Sequence, residues 1–257
     1  MRVATRRMRV ILQVLDGVAP APEIRMYRRG LRRIARAAGA VRDTDVFIAN
    51  IQAAAAALTP DDAAGLSPLI ASLQADRAAA YEQLLARLDN AAYAEFKRDF
   101  ASFITGHCDK WSMRRRVRDM AGSTIWGYYE ALRSHVPDDS IVSLADDPEE
   151  LHEMRIAGKH LRYLLEMFED IFGERVQAAL EPLMGFQDHL GTINDISVAA
   201  DYVASLSVDA AARPALDAYV AGRYAERDRL IAELPERWFK LNGGTYRRKL
   251  MELIVRL

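Results

Sequence analysis

The sequence predicts an all-α protein, and three observations carry that expectation. Glycine and proline number only 14 and 9 in 257 residues, most prolines stand at breaks in the pattern, and alanine and leucine are abundant; such a composition favours helix. Apolar residues recur at helical spacing through most of the chain, and no stretch alternates as a half-buried strand does. Two blocks of sequence also return at nearly one offset, which marks a duplicated helical unit.

The elements follow in order. Residues 2–15 read as a helix with Val3, Val10, Ile11 and Val14 inward, ended by "GVAPAPE". Residues 23–57 read as one long helix that could bend near Gly39. "LTPDDAAGLSP" reads as a loop, with Thr59 or Asp61 as a cap and Pro60 near the next start. Helices are expected at 68–88, 91–106 and 112–133. "SHVPDDSIVSLADDPEE" holds two prolines and an acid cluster and is the best linker in the chain. Further helices are expected at 149–171, 174–204, 209–233 and 244–256. The expected organisation is a single domain over 1–257, with a first half at 1–133, an acidic linker at 134–150 and a second half at 151–257. The aromatic residues Trp126, Tyr163, Phe168 and Trp238 are expected in the core.

The repeat is visible on alignment by eye. "MRVATRRMRVILQVL" (1–15) matches "MRIAGKHLRYLLEMF" (154–168), pairing Arg2 with Arg155, Arg6 with Lys159 and Arg9 with Arg162. "GAVRDTDV" (39–46) meets its counterpart in "GTINDISV" (191–198), pairing Gly39 with Gly191 and Asp43 with Asp195. The counterpart of His152 would fall before Met1. Either the natural chain begins further upstream or this copy lacks the histidine.

Bulk properties narrow the setting. A lone cysteine, Cys108, rules out an internal disulfide and suits a reducing compartment. No apolar run reaches the roughly 18 residues of a membrane span, and the basic start lacks the apolar region of a signal peptide. A cytoplasmic protein without membrane attachment is expected. The net charge is −1, yet residues 1–42 carry eleven arginines against Asp16 and Glu23, whereas residues 43–100 carry four basic residues against nine acids. Such asymmetry can mark a polyanion site that the total hides.

The candidate site residues are basic and fall at helical spacing. Arg2, Arg6 and Arg9 form one stripe; His152, Arg155, Lys159 and Arg162 form a second, spread over roughly 15 Å of helix. Like charges four residues apart repel. Their retention in both copies fits a polyanion laid across them, with arginine forks suited to phosphate oxygens and lysine supplying a mobile charge. Arg29, Arg32, Arg33 and Arg36 are further candidates, as are Arg114 and Arg118 in "KWSMRRRVRDM". Asp43 and Asp195 are expected to orient arginines rather than to act as bases. His152 fits a phosphate-contacting donor better than a catalytic base or a metal ligand. Its only neighbouring acid is Glu153, and His160 lies eight residues on and off the stripe. No metal site, cofactor or catalytic residue is expected, and no glycine-rich phosphate loop is present.

"HEMRIAGKHLRYLLEMF", "MRVATRRMR", "GAVRDTDV" and "GFQDHLGTINDISVA" together resemble the CHAD family, the conserved histidine α-helical domain, over nearly the whole chain. The resemblance implies two pseudo-symmetric antiparallel four-helix bundles with a basic cleft between them. It also implies binding of inorganic polyphosphate and association with polyphosphate granules. The expected function is therefore non-catalytic polyphosphate binding, with room for association with polyphosphate-metabolising enzymes. The alternatives are an enzyme or regulatory subunit of polyphosphate or nucleotide metabolism, or a helical nucleic-acid binder. An enzyme would need acids clustered to hold Mg²⁺ beside the basic face, and the acids fall in loops. Base stacking would need aromatic residues in the groove, and the stripes contain none. Oligomeric state and chain-length preference leave no signature in these residues.

Overall fold

The computed structural model of the chain describes residues 1–15, 19–56, 58–106, 117–136, 141 and 147–256, with backbone alone at Arg2, Asp61, Asp62, Val117, Arg118 and Asp119. Every regular element among them is helical, as the composition required. The order is α1 (Arg2–Val14), α2 (Ala21–Ala55), α3 (Pro60–Gly65), α4 (Ser67–Leu88), α5 (Ala91–Gly106), α6 (Val117–Arg133), α7 (Pro148–Met167), α8 (Glu169–Phe172), a 3₁₀ turn (Gly173–Val176), α9 (Gln177–Ser205), α10 (Arg213–Asn242) and α11 (Gly244–Val255).

Contacts divide the chain into two compact units, one of residues 1–113 and 201–221, the other of 114–200 and 222–257. This division exchanges two segments relative to the sequence halves. The reason lies in the long helices α9 and α10, each of which supplies residues to both units. Val203, Leu216 and Tyr219 join Ile51, Leu66, Leu69 and Leu73 in a core of the first unit.

The first unit is built on α2, which packs against α1 and α4. It runs unbroken for 35 residues, about 52 Å, so Gly39 does not interrupt it. At its start Tyr27 is surrounded by Phe96, Phe100 and Phe103 of α5, with ring centroids 6.0, 5.1 and 4.7 Å away, and its hydroxyl donates to the Asp99 carbonyl at 3.1 Å. Leu12, Ile24 and Leu31 complete that cluster. On α1 Val10 is buried and Val14 half-buried, but Val3 and Ile11, expected inward, are exposed. The buried side instead passes through Thr5 and Leu12, one heptad apart, and Thr5 satisfies its hydroxyl on the Met1 carbonyl. Aliphatic character alone does not tell which of two apolar stripes on a helix meets a partner.

The second unit centres on α7, whose start is written in "DPEE". The Asp147 side chain accepts from the Glu149 and Glu150 N–H groups, Pro148 occupies the first position where no N–H is needed, and two acids face the positive helix end. Residues 148–150 thus belong to the helix rather than to the linker, and Glu150 pairs with His135 just past α6. The helix expected over 149–171 stops at Met167. Gly173 takes φ of 62°, a conformation side chains rarely adopt, and lets the chain turn after α8. The helix expected over 209–233 begins at Arg213 and continues to Asn242 with Pro235 inside it. Pro235 cannot donate to the Ile231 carbonyl, and packing of Leu234, Trp238 and Leu241 holds the helix together beyond it. Phe168 and Trp238 are buried as expected, whereas Trp126 and Tyr163 are only half-buried. Two buried tyrosines pin the unit. The Tyr129 hydroxyl donates to the Leu241 carbonyl at 2.8 Å, and the Tyr246 hydroxyl to the Ala179 carbonyl at 3.0 Å. Burial pushes the Tyr246 hydroxyl far above the ordinary tyrosine range, so it is a permanent donor.

Candidate functional site: basic helix faces

In the first unit the candidate side chains lie on α1 and α2. Arg6 and Arg9 are half-buried, and only the backbone of Arg2 is described. The α2 row is different in kind. Arg29, Arg32, Arg33 and Arg36 are all exposed, as is Arg25 one turn earlier. The ion pairs and hydrogen bonds of the described residues include none of these five arginines. On the same helix Asp45 accepts from Arg77 of α4 at 2.6 Å. Asp43 is exposed and engaged, one turn past Gly39. Solvation holds the arginine row apart, and its mutual repulsion is relieved only by screening or by an anion.

In the second unit the stripe on α7 divides by environment. His152 is exposed, and its Nδ1 stands 3.4 Å from Asn194 Oδ1 of α9, a long contact. Arg155 and Lys159 are half-buried, and Arg155 Nε is buried without a hydrogen-bond partner among the described residues. Arg162 donates through Nε to Glu166 Oε1 at 2.7 Å, in a pair only 22% and 14% exposed. Arg162 is therefore partly neutralised by its own helix. Asp195, expected to orient an arginine, meets no arginine among the described residues and accepts only a 3.4 Å contact from Asn194 Nδ2. Its neighbour Asn194 makes the link to the stripe helix, because one residue of rotation on α9 turns it rather than Asp195 toward α7. Gly158 lies between Arg155 and Lys159 and admits α9 closely. A Cβ there would stand 3.3 Å from Gln187 Nε2, a buried amide group. Arg114 lies outside the described residues, and so does the side chain of Arg118 on α6.

The sequence reading did not single out Glu166, Gly158 or Asn194, nor a cavity beside His152. The cavity, of about 70 Å³, is lined by residues of α7, α9 and α10, among them Asn194, Ser197 and Arg227. Asn194 stood inside the repeated "GTINDISV" block, so a signal was available; Arg227 carried none. No group of three or more metal-ligating side chains occurs among the described residues, and no described helix is long and apolar enough to cross a membrane.

Among the described residues the regular elements are all helical, and α2 and α7 carry rows of basic side chains: the chain is an all-helical protein with basic helix faces. The chain belongs to the CHAD domain family, whose model matches residues 1–204. Among solved structures it is similar to the CHAD domain from the plant Ricinus communis, at 25% identity and a TM-score of 0.66, covering 98% of this chain and 80% of that one. It is also similar in fold to PptA from Streptomyces chartreusis, at 14% identity and a TM-score of 0.72, covering 92% of this chain and 87% of that one. No curated protein matches the sequence.

Proposed function

We propose that this protein binds inorganic polyphosphate through its basic helix faces, as a binding module rather than an enzyme, and that this attachment carries it to polyphosphate granules. The observation that carries the reading is the exposed row Arg25, Arg29, Arg32, Arg33 and Arg36, without carboxylate partners among the described residues in a chain that holds 36 acids. A flexible polyanion can lie along such a row and meet guanidinium groups turn after turn. The half-buried Arg155 and Lys159 supply a second face where the local dielectric is lower and each contact stronger. Between Arg25 and Arg36 the one aromatic residue, Tyr27, is buried, which favours a phosphate chain over single-stranded nucleic acid along this row.

The test is direct binding of long polyphosphate, single-stranded DNA and RNA at several salt concentrations. Polyphosphate should bind tightest, with affinity falling steeply with salt because each neutralised phosphate releases a counterion. The triple variant Arg29→Gln, Arg32→Gln, Arg36→Gln should lower both affinity and the salt slope, by about two units of slope if each contact contributes what it does on nucleic acids. Equal binding of DNA or RNA, or a salt-independent affinity, refutes the reading.

A further inference from the structure

Resting on that reading, we propose that the cavity at the start of α7 is a subsite for the terminal phosphate of a phosphate chain, with Arg227 as its anion-binding residue. Arg227 lies beyond the residues that the family model matches. It is half-buried, and its guanidinium lies over the Tyr224 ring at 5.5 Å. It makes no ion pair or hydrogen bond among the described residues, whereas its neighbours on α10 do. Arg223 donates to Glu226 at 2.5 Å and Arg237 to Glu233 at 3.3 Å. A half-buried guanidinium facing a cavity without a counter-charge is costly unless an anion joins it.

The other polar groups of the cavity are only loosely held. His152 Nδ1 and Asn194 Oδ1 are 3.4 Å apart, and the Ser197 hydroxyl reaches the Ile193 carbonyl at 3.4 Å. Both contacts are at the outer edge of a hydrogen bond. The ring Nε2 of His152, the amide of Asn194 and the hydroxyl of Ser197 can thus turn to a ligand. Leu151 and Ile193 give the cavity an apolar side, which strengthens charge interactions within it.

The start of α7 does not compete for the ligand. Asp147 already takes the Glu149 and Glu150 N–H groups, and Pro148 has none to give. The positive charge at this place is that of Arg227, with His152 beside it.

Size and chemistry select the end of a chain over its middle. A cavity of about 70 Å³ has room for roughly five waters or one tetrahedral oxyanion, not for a run of phosphates. An internal phosphate offers two non-bridging oxygens and one negative charge. A terminal phosphate offers three oxygens and up to two charges at neutral pH. The fork of Arg227 with the donors of His152, Asn194 and Ser197 outnumbers the acceptors of an internal group and suits those of an end group.

The experiment compares tripolyphosphate, which has two ends, with cyclic trimetaphosphate, which has the same number of phosphates and none. Calorimetry on the full chain gives affinities, and the imidazole resonances of His152 report occupancy beside it. The wild type should prefer tripolyphosphate by more than tenfold, with a shift of the His152 resonances. Arg227→Met, which keeps the apolar stem over Tyr224, should cut that preference at least fivefold and abolish the shift, with a smaller loss for long polyphosphate, which also meets the α2 row. Ser197→Glu, which places a like charge in the cavity, should do the same and covers the case in which Arg227→Met fails to fold. An unchanged preference in both variants, with long polyphosphate still bound, overturns the subsite. Failure of wild type to bind long polyphosphate overturns the proposed function instead, and an Arg227-dependent preference for tripolyphosphate would survive it.

Discussion

Two arginines two helical turns apart on α7 should respond to the same substitution in opposite ways. Arg162 Nε donates to Glu166 at 2.7 Å, and both side chains are mostly shielded from water. An exposed i,i+4 pair contributes about 0.3–0.5 kcal/mol, whereas a hydrogen bond to a charged group in a drier setting contributes about 1.5–3 kcal/mol. The basic residue precedes the acid, the weaker order along a helix, and Glu166 has a further interaction of its own. Arg162→Met should therefore cost about 1–2 kcal/mol, roughly 0.5 M in urea midpoint for a chain of this size. Among the described residues Arg155 has no ion pair, and its Nε is buried without a partner. Arg155→Met keeps the apolar stem and removes an unmet donor, so stability should hold or rise by up to about 1 kcal/mol. Binding should sort the other way. Arg155 carries a charge without an ion pair among the described residues, and its loss should weaken polyphosphate binding by about 1–3 kcal/mol, roughly fivefold to over a hundredfold. Arg162 is already half-neutralised by Glu166, so its loss should weaken binding less. Urea titrations and polyphosphate affinities on the two single variants check both axes. Equal destabilisation by the two substitutions, or unchanged affinity in Arg155→Met, refutes the division of the stripe into a binding part and a structural part.

Two stability predictions concern positions away from the stripes. A Cβ on Gly30 would stand 2.2 Å from the Phe96 ring, whereas one on Gly127 meets nothing within 4 Å. Gly127→Ala should thus raise stability by about 0.5–1 kcal/mol from helix propensity, and Gly30→Ala should lower it by about 1–2 kcal/mol; melts showing the same sign for both reject the close approach of α5 to α2. His189 is 5% exposed and donates through Nε2 to the Leu230 carbonyl at 2.6 Å, and burial, with a smaller push from Arg237, holds its ring below the ordinary histidine range against Leu230 and Glu233. The unfolded chain then binds this proton more readily than the folded one, so stability present above the histidine range is lost as pH falls through it, and His189→Gln should flatten that loss in melts between about pH 7.5 and about pH 5.

Helix was legible almost everywhere because its signal is local. Alanine-rich runs, apolar spacing and caps such as "DPEE" act within a few residues, and α4, α5 and α11 fall within a residue or so of their expected ends. The basic rows were legible for the same reason, since spacing of three and four residues alone places Arg29, Arg32 and Arg36 on one side of α2. What spacing could not convey was the environment of each side chain. Which apolar stripe of α1 turns inward, whether Pro235 ends a helix, and whether Asn194 or Asp195 meets α7 are decided by neighbours distant in sequence. Arg162 and Arg155 look alike along the chain and differ only because Glu166 folds back on one and burial strands the Nε of the other. Arg227 is the extreme case. It sits in "ERDRL" among ordinary surface charges, and only the packing of α7, α9 and α10 gives it a cavity, with no counter-ion among the described residues. Charge is a property of the residue, but its availability is set by burial and pairing, and those exist only once the helices have packed.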